Sequence, residues 1–451
     1  MLALTAVAIV CLAVPLPHGV PMTAAALGRA SRLRIVGGRR LEGVVRTSGA
    51  KNAVLPAMAA ALLAPETTTL ENVPAIHDTL VMAEILRALG ARVEHDPARA
   101  DVLQIDARDV CCHIAPSRLV TSLRASFVVM GALLGRLGAA ACAPPGGDVI
   151  GQRPVDVHLA GFAALGASIG REGDKFVAQA PGGLRGTRVF LDYPSVTGTQ
   201  NVLLAAVRAR GTTTIVNAAA EPEVASLAEM LNRMGARIRG AGTHTIEVEG
   251  VEALHGTRHR VIPDRLEAGT FAIAAALTCG EVEIRDVRPR HLDALLCKMR
   301  EIGVRVEEPD ATTLLVSRAP SARLRPTQIQ AVPYPGLATD LQAPMAVLLT
   351  QADGVSFVHE RVYDNRFLYL AELRKFGAEL VQAGSTAVIT GPTRLTGASV
   401  RALDVRAGAA LVLAGLAAEG ETEISDVYHL DRGYEDLEGK LRGLGAIVER
   451  V

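Results

Sequence analysis

The sequence contains no tryptophan, only 3% aromatic residues, and no excess charge of either sign, its 47 lysines and arginines being matched by 47 aspartates and glutamates. A balanced chain lacks the broad electrostatic footprint of a protein that grips nucleic acid non-specifically, so any anion it binds must meet a local cluster of cations. Metal-ligand spacing is missing too. The six cysteines, Cys11, Cys111, Cys112, Cys142, Cys279 and Cys297, form no Cys-x-x-Cys pair and stand in no zinc-like register with histidine. Scattered thiols of this kind are expected to stay reduced and to act as small core residues, and neither a metal nor a cofactor is expected. The apolar run at 2–16 is too short to span a bilayer, is interrupted by Pro15 and followed by Pro17, and has no basic residue before it. No membrane partner is therefore expected. Residues 1–32 are read as an extension before the fold, with Met22 an alternative start.

What is present is 451 residues, 49% of them hydrophobic, whose interior must be built mainly from Ala, Val, Leu and Ile. Single cores stop growing at roughly 250–300 residues, so two domains are expected. One pattern recurs six times: an apolar-periodic helix ends in apolar-Gly-small and a short alternating strand follows. It reads Leu89-Gly90-Ala91, Leu165-Gly166-Ala167, Met234-Gly235-Ala236, Ile302-Gly303-Val304, Phe376-Gly377-Ala378 and Leu444-Gly445-Ala446, with the glycines 76, 69, 68, 74 and 68 residues apart. Glycine just past a helix is the expected left-handed stop. A second marker, a strand by alternation and β-branched content, opens at Thr67, Thr212, Glu281, Val355 and Glu421. Six α+β units of about seventy residues, three per domain, fill the chain. A solenoid is the competing architecture, but its repeats usually run about 20–50 residues.

Four loops hold the chemistry-bearing residues. In Ser48-Gly49-Ala50-Lys51-Asn52 a small-residue turn opens a helix, where backbone N–H groups can face an anion and Lys51 adds a full charge. The stretch 144–158 combines three prolines, three glycines and the charged residues Asp148, Arg153 and Asp156, the mark of an ordered or hinged loop. In Tyr334-Pro335-Gly336-Leu337-Ala338-Thr339-Asp340-Leu341-Gln342, Thr339 and Asp340 stand where helix caps do. Asp404-Val405-Arg406 and Asp431-Arg432-Gly433-Tyr434 pair arginine with aspartate. This is commonly a surface pair of little energy, yet arginine is also the side chain shaped for bidentate hold on carboxylate or phosphate.

Together these strings resemble one family, the UDP-N-acetylglucosamine enolpyruvyl transferases of the EPSP synthase-like superfamily. The resemblance runs over about 33–451 and rests on SGAKN at 48–52, LRAS at 123–126, RPVD at 153–156, TDLQ at 339–342, DNRF at 364–367 and HLDRGYE at 429–435. It implies an α/β fold of two inside-out α/β barrel domains, each of three repeated units. The boundaries expected are 51–262 for one domain and 33–50 plus 263–451 for the other, with the crossings near Lys51 and Ile262-Pro263-Asp264-Arg265.

The resemblance implies a cytoplasmic enzyme that adds a sugar 3′-hydroxyl to C2 of phosphoenolpyruvate, protonates C3 and then expels phosphate. That chemistry needs proton-transfer groups and a dense cationic pocket. It casts Lys51, Arg153, Arg406 and Arg432 as the phosphoenolpyruvate clamp, with Asn52 positioning the reacting centre. Asp340 would accept or orient the proton of the attacking hydroxyl, and Asp404 would lie near the C3 methyl. Arg124, the run Arg153, Pro154, Val155, Asp156 and Val157, and Ser195, Val196 and Val362 would face the uridine nucleotide. Asp148 stands where many members carry cysteine, on a loop that closes over the substrate; a carboxyl group desolvated by closure can deliver the same proton. It cannot form the thioether by which fosfomycin inactivates such members. Two departures touch the nucleotide side: the family strings SVGAT and NAAREPE here have Thr197 and Ala220. They leave open an acceptor simpler than the nucleotide sugar, such as UMP in nucleoside antibiotic pathways; action on shikimate 3-phosphate and a catalytically silent homologue are more remote readings.

Overall fold

A computed structural model describes residues 31–148, 150 and 154–451. The apolar run near the start and Met22 lie outside the described residues. The buried hydrophobic side chains gather in two clusters, one drawn from residues 50–262 and the other from residues 33–45 and 266–448. Each cluster is built around three helices buried on nearly every side: Lys51–Ala60, Val129–Leu137 and Val196–Ala206 in the first, Arg265–Leu277, Gln342–Leu349 and Val405–Ala417 in the second. These segments are rich in Ala, Leu and Val and carry no polar stripe, so no face of them favours water. Small residues let the helices close on one another. A Cβ on Gly131 would fall 2.1 Å from the carbonyl oxygen of Asn201 on the neighbouring helix, so no larger side chain fits there without moving a backbone.

Sheets wrap the outside. The described strands form five four-stranded sheets and one three-stranded sheet. Strands such as Glu281–Arg285 and Glu421–Ser425 bury alternate residues against the helices and turn the others outward, as a period of two requires. Helices within and sheets without make each half an inside-out α/β barrel. The six glycines past the helix ends all adopt left-handed backbone, with φ between +89° and +104°, where any side chain with a Cβ is strained. The strand marker invisible in the sequence of the second unit is Ala139–Cys142, in the three-stranded sheet. Four small residues carry none of the β-branched signal of the other five.

The units are not six contiguous blocks, and here the sequence reading needs correcting. Arg258–Arg260 completes the sheet of Thr67–Glu71, and Glu42–Arg46 completes that of Glu281–Arg285. Leu33–Val36 lies between Glu421–Ser425 and Ile447–Arg450. Arg32 exchanges both backbone hydrogen bonds with Val451, at 2.8 and 2.9 Å, so it belongs to this ladder and not to the extension. The chain passes between the clusters twice, and the two crossings run side by side: Ala50 N–H donates to the Ile262 carbonyl at 2.8 Å and Asp264 N–H to the Ser48 carbonyl at 2.9 Å. Among the described residues no helix is long and apolar enough to cross a membrane, and no group of three or more His, Cys, Asp or Glu side chains could hold a metal ion.

Candidate active site

The chemistry-bearing loops converge because they feed the N-termini of the buried helices. Lys51 is the first residue of its helix, and Arg124 opens a short turn that runs into Val129–Leu137. Ser195 caps Val196–Ala206, its Oγ accepting from the Gly198 N–H at 3.1 Å. Asp264 caps Arg265–Leu277 and also accepts from the Lys51 N–H at 3.3 Å, joining two helix starts across the crossing. Asp340 lies in the turn Thr339–Leu341 ahead of Gln342–Leu349. Asp404 caps Val405–Ala417 by accepting from the N–H groups of Arg406 and Ala407 at 2.7 and 3.0 Å. Helix N-termini present partial positive charge and unpaired N–H groups, so a junction lined with them suits an anionic ligand.

At that junction charged side chains from both halves form a chain of ion pairs. Lys51 Nζ lies 2.6 Å from Asp78 Oδ2. Arg432 donates its Nε to the other oxygen of Asp78 at 3.1 Å and its Nη1 to Asp148. His429 Nδ1 stands 3.9 Å from the same Asp148 oxygen, and burial pushes its ring below the ordinary value against the pull of Asp148. Asp148 therefore meets the Arg432 guanidinium across the junction. Gly433 packs beside the Lys51 stem, where a Cβ would come within 3.8 Å of Nζ but only 2.6 Å from Val405.

Asp340 does not cap a helix, as the sequence suggests; it is claimed by two buried arginines. Arg366 Nη2 donates to Oδ1 at 2.8 Å and Arg406 Nε to Oδ2 at 3.1 Å. Burial pushes its carboxyl up, but the two guanidinium charges outweigh burial and hold it well below the usual carboxylate range. Thr339 is no cap either, since its hydroxyl donates to Glu360. Arg406 stacks over the Tyr434 ring, 5.1 Å from its centroid, and its Nη1 is buried with no hydrogen-bond partner. A buried guanidinium with an unused donor is a waiting anion contact.

The residues expected on the nucleotide side fall into two groups by exposure and contact. Arg124 Nη2 donates to the Pro154 carbonyl at 3.2 Å, and the Tyr193 hydroxyl donates to Asp156 at 3.3 Å. Val362 is part-exposed, with its N–H donating to Glu360. Val155 and Val157, however, are buried, and Val157 packs under Gly198. Their side chains belong to the core of the first half. Thr197 reaches the Nε2 of His158 at 3.5 Å, a ring pushed down to about 3 by burial, and Ala220 is buried. Arg153 lies outside the described residues. Sequence reasoning passed over Asp78, which reads as an ordinary acid in the first turn of His77–Ala88. It quoted Arg366 and His429 within DNRF and HLDRGYE but gave them no part.

Residues 35–441 match the model of the EPSP synthase (3-phosphoshikimate 1-carboxyvinyltransferase) family, which fixes the class suggested by the six-unit barrel pair and its interdomain cations. Curated relatives narrow it. The chain is 49% identical to UDP-N-acetylglucosamine 1-carboxyvinyltransferase 2 of Carboxydothermus hydrogenoformans, over 92% of this chain and 98% of that one. It is 46% identical to the UDP-N-acetylglucosamine 1-carboxyvinyltransferase of Finegoldia magna, over 91% and 96%. Among solved structures, the enolpyruvyl transferase NikO from Streptomyces tendae superimposes with a TM-score of 0.84 at 29% identity, covering 94% of this chain and 99% of that one. The chain belongs to the UDP-N-acetylglucosamine 1-carboxyvinyltransferase family.

Proposed function

We propose that the protein transfers the enolpyruvyl group of phosphoenolpyruvate to the 3′-hydroxyl of UDP-N-acetylglucosamine with release of phosphate, opening peptidoglycan synthesis in the cytoplasm. The observation that carries this reading is the junction itself, where Lys51 from the first half and Arg432 from the second meet on Asp78. In this reading Lys51, Arg432 and Arg406, with Arg153, hold the phosphate and carboxylate of phosphoenolpyruvate, and Asn52 borders the reacting carbon. Asp340 orients the attacking hydroxyl and takes its proton as the C2–O bond forms. Asp148, protonated when it enters the exchange, gives its proton to C3 and takes one back as the bond from C2 to the phosphate oxygen breaks, and the departing phosphate carries off the proton first taken from the hydroxyl. Phosphate arriving on Arg432 displaces Asp148 from its ion pair and frees it for that exchange. Asp404, with one oxygen committed to its helix cap, steadies the Arg406 end of the site.

Identity near 49% to the nucleotide-sugar enzymes, against 29% to NikO, supports UDP-N-acetylglucosamine over a simpler acceptor. Phosphate release measured with UDP-N-acetylglucosamine and with UMP tests the choice. Turnover with the nucleotide sugar and little with UMP is expected; the reverse order would overturn the acceptor assignment while leaving enolpyruvyl transfer intact.

Fosfomycin is expected to leave activity unchanged on prolonged incubation, because a carboxylate at position 148 cannot be converted to the thioether. Cys142, six residues earlier, offers no substitute: it is buried, and burial pushes its thiol up to about 12. Time-dependent, irreversible loss of phosphate release would contradict the placement of Asp148.

A further inference from the structure

We propose that Asp78 is the positioning residue of the phosphoenolpyruvate clamp: one buried carboxylate that sets Lys51 of the first half and Arg432 of the second in a fixed relation before the ligand arrives. The inference rests on the reading of Lys51 and Arg432 as clamp cations and adds a residue which that reading does not contain. Asp78 has a side-chain exposure of 2%, against 12% for Lys51, 9% for Arg432 and 17% for Asp148. The carboxylate is thus the most deeply buried of the four groups. It lies in the first turn of His77–Ala88 but makes no cap hydrogen bond there. Both oxygens are turned instead to partners distant in sequence, Oδ2 to Lys51 at 2.6 Å and Oδ1 to Arg432 Nε at 3.1 Å, with Arg432 Nη2 3.5 Å from Oδ2.

This geometry decides which part of Arg432 a ligand can meet. Asp78 takes the Nε and Nη2 edge of the planar guanidinium, and a two-point contact fixes the plane of the fork. Nη1 is left pointing forward, where it meets Asp148. Lys51, a flexible stem ending in a point charge, is held by the same carboxylate. Without Asp78 the two cations would repel each other and lose their common anchor, and the binding of an anion would then have to order both. Because Asp78 reaches Arg432 from the other half, it also ties the clamp cations of the two halves to one another.

Steady-state kinetics and binding on the full-length chain test the proposal with Asp78→Asn, Asp78→Glu and Lys51→Met. Asp78→Asn keeps the shape but removes the charge. It is expected to raise the KM for phosphoenolpyruvate at least about tenfold and to lower kcat, while the Kd for UDP-N-acetylglucosamine alone moves less than about twofold. Asp78→Glu restores the charge on an arm one methylene too long. It is expected to bring the melting temperature back near that of the parent without restoring the phosphoenolpyruvate KM, and it decides the matter if Asp78→Asn does not fold. Recovery of that KM together with the melting temperature in Asp78→Glu would reduce Asp78 to a structural group and overturn the proposal. So would an unchanged KM in Asp78→Asn, or an equal loss of affinity for both substrates. Lys51→Met separates the two levels: if it leaves the phosphoenolpyruvate KM unchanged, the clamp reading has failed, and if it raises that KM while Asp78→Asn does not, only the positioning role has failed.

Discussion

Asp148→Ala is expected to lower kcat by about 10²–10⁴, the usual worth of a positioned proton-transfer group, while UDP-N-acetylglucosamine still binds. The two effects separate because Asp148 stands against Arg432 and His429, whereas the residues assigned to the nucleotide cluster around Arg124, Pro154, Asp156 and Tyr193. Asp148→Asn sharpens the test. It keeps the bulk of the side chain and a hydrogen-bonding group, but it can neither give up nor take back the proton of a carboxyl. If its loss is as deep as that of the alanine variant, the proton is what matters; if it keeps near-parent rates, the acid role is wrong and Asp148 serves only as a loop contact to Arg432. Isothermal titration with the nucleotide sugar beside pre-steady-state phosphate release reads both quantities.

Asp340→Asn is expected to cost turnover on a similar scale, about 10²–10⁴ in kcat, and to destabilise the protein as well. Its carboxylate is shared by Arg366 and Arg406, whose side chains are only 4% and 5% exposed. Removing one partner of a buried pair leaves charge uncompensated, at about 3 kcal/mol near the lower end of the range because Asp340 is itself 23% open. The sign of its pH dependence follows from the depressed carboxyl. A folded value below the unfolded value of about 3.9 gives stability that is present above that unfolded value and is lost only as pH falls through the lower folded one. Asp340 therefore stays ionised through neutral and mildly acidic pH, and an acid limb of the rate profile in that range does not belong to it. A carboxylate held so low is a weak proton acceptor, so under the proposed mechanism it takes the hydroxyl proton only once phosphoenolpyruvate draws Arg406 onto its own charge. Parent-like kcat in Asp340→Asn would remove it from the mechanism. An unchanged melting temperature would show that the two arginines find other partners.

Much of the fold was legible because its signals are local. A glycine that must turn left-handed after a helix is needed wherever that turn is made, so the six stops at Gly90, Gly166, Gly235, Gly303, Gly377 and Gly445 show without any alignment. The strand Ala139–Cys142 did not show, since alanine has no strand preference and only its neighbours in the sheet make it a strand. The same limit applied to sites. Lys51, Arg406 and Arg432 could be nominated from their motifs, but Asp78 looks like any acid at a helix start. Its meaning comes from Arg432, which is 354 residues away.

By itself, then, the sequence determined the two-domain size, the six-fold repetition and the family strings that name a chemistry. These depend on residue type and spacing along the chain. Tertiary structure alone decided that the units exchange strands, that Asp340 is an anion between two arginines and not a cap, and that the Val157 side chain is buried against Gly198. It also decided that Asp148 rests on Arg432, a cation proposed for the substrate. Such facts depend on which groups meet across the junction of the two halves. Charge pairing and burial there are set by distance in space, which spacing along the chain does not encode.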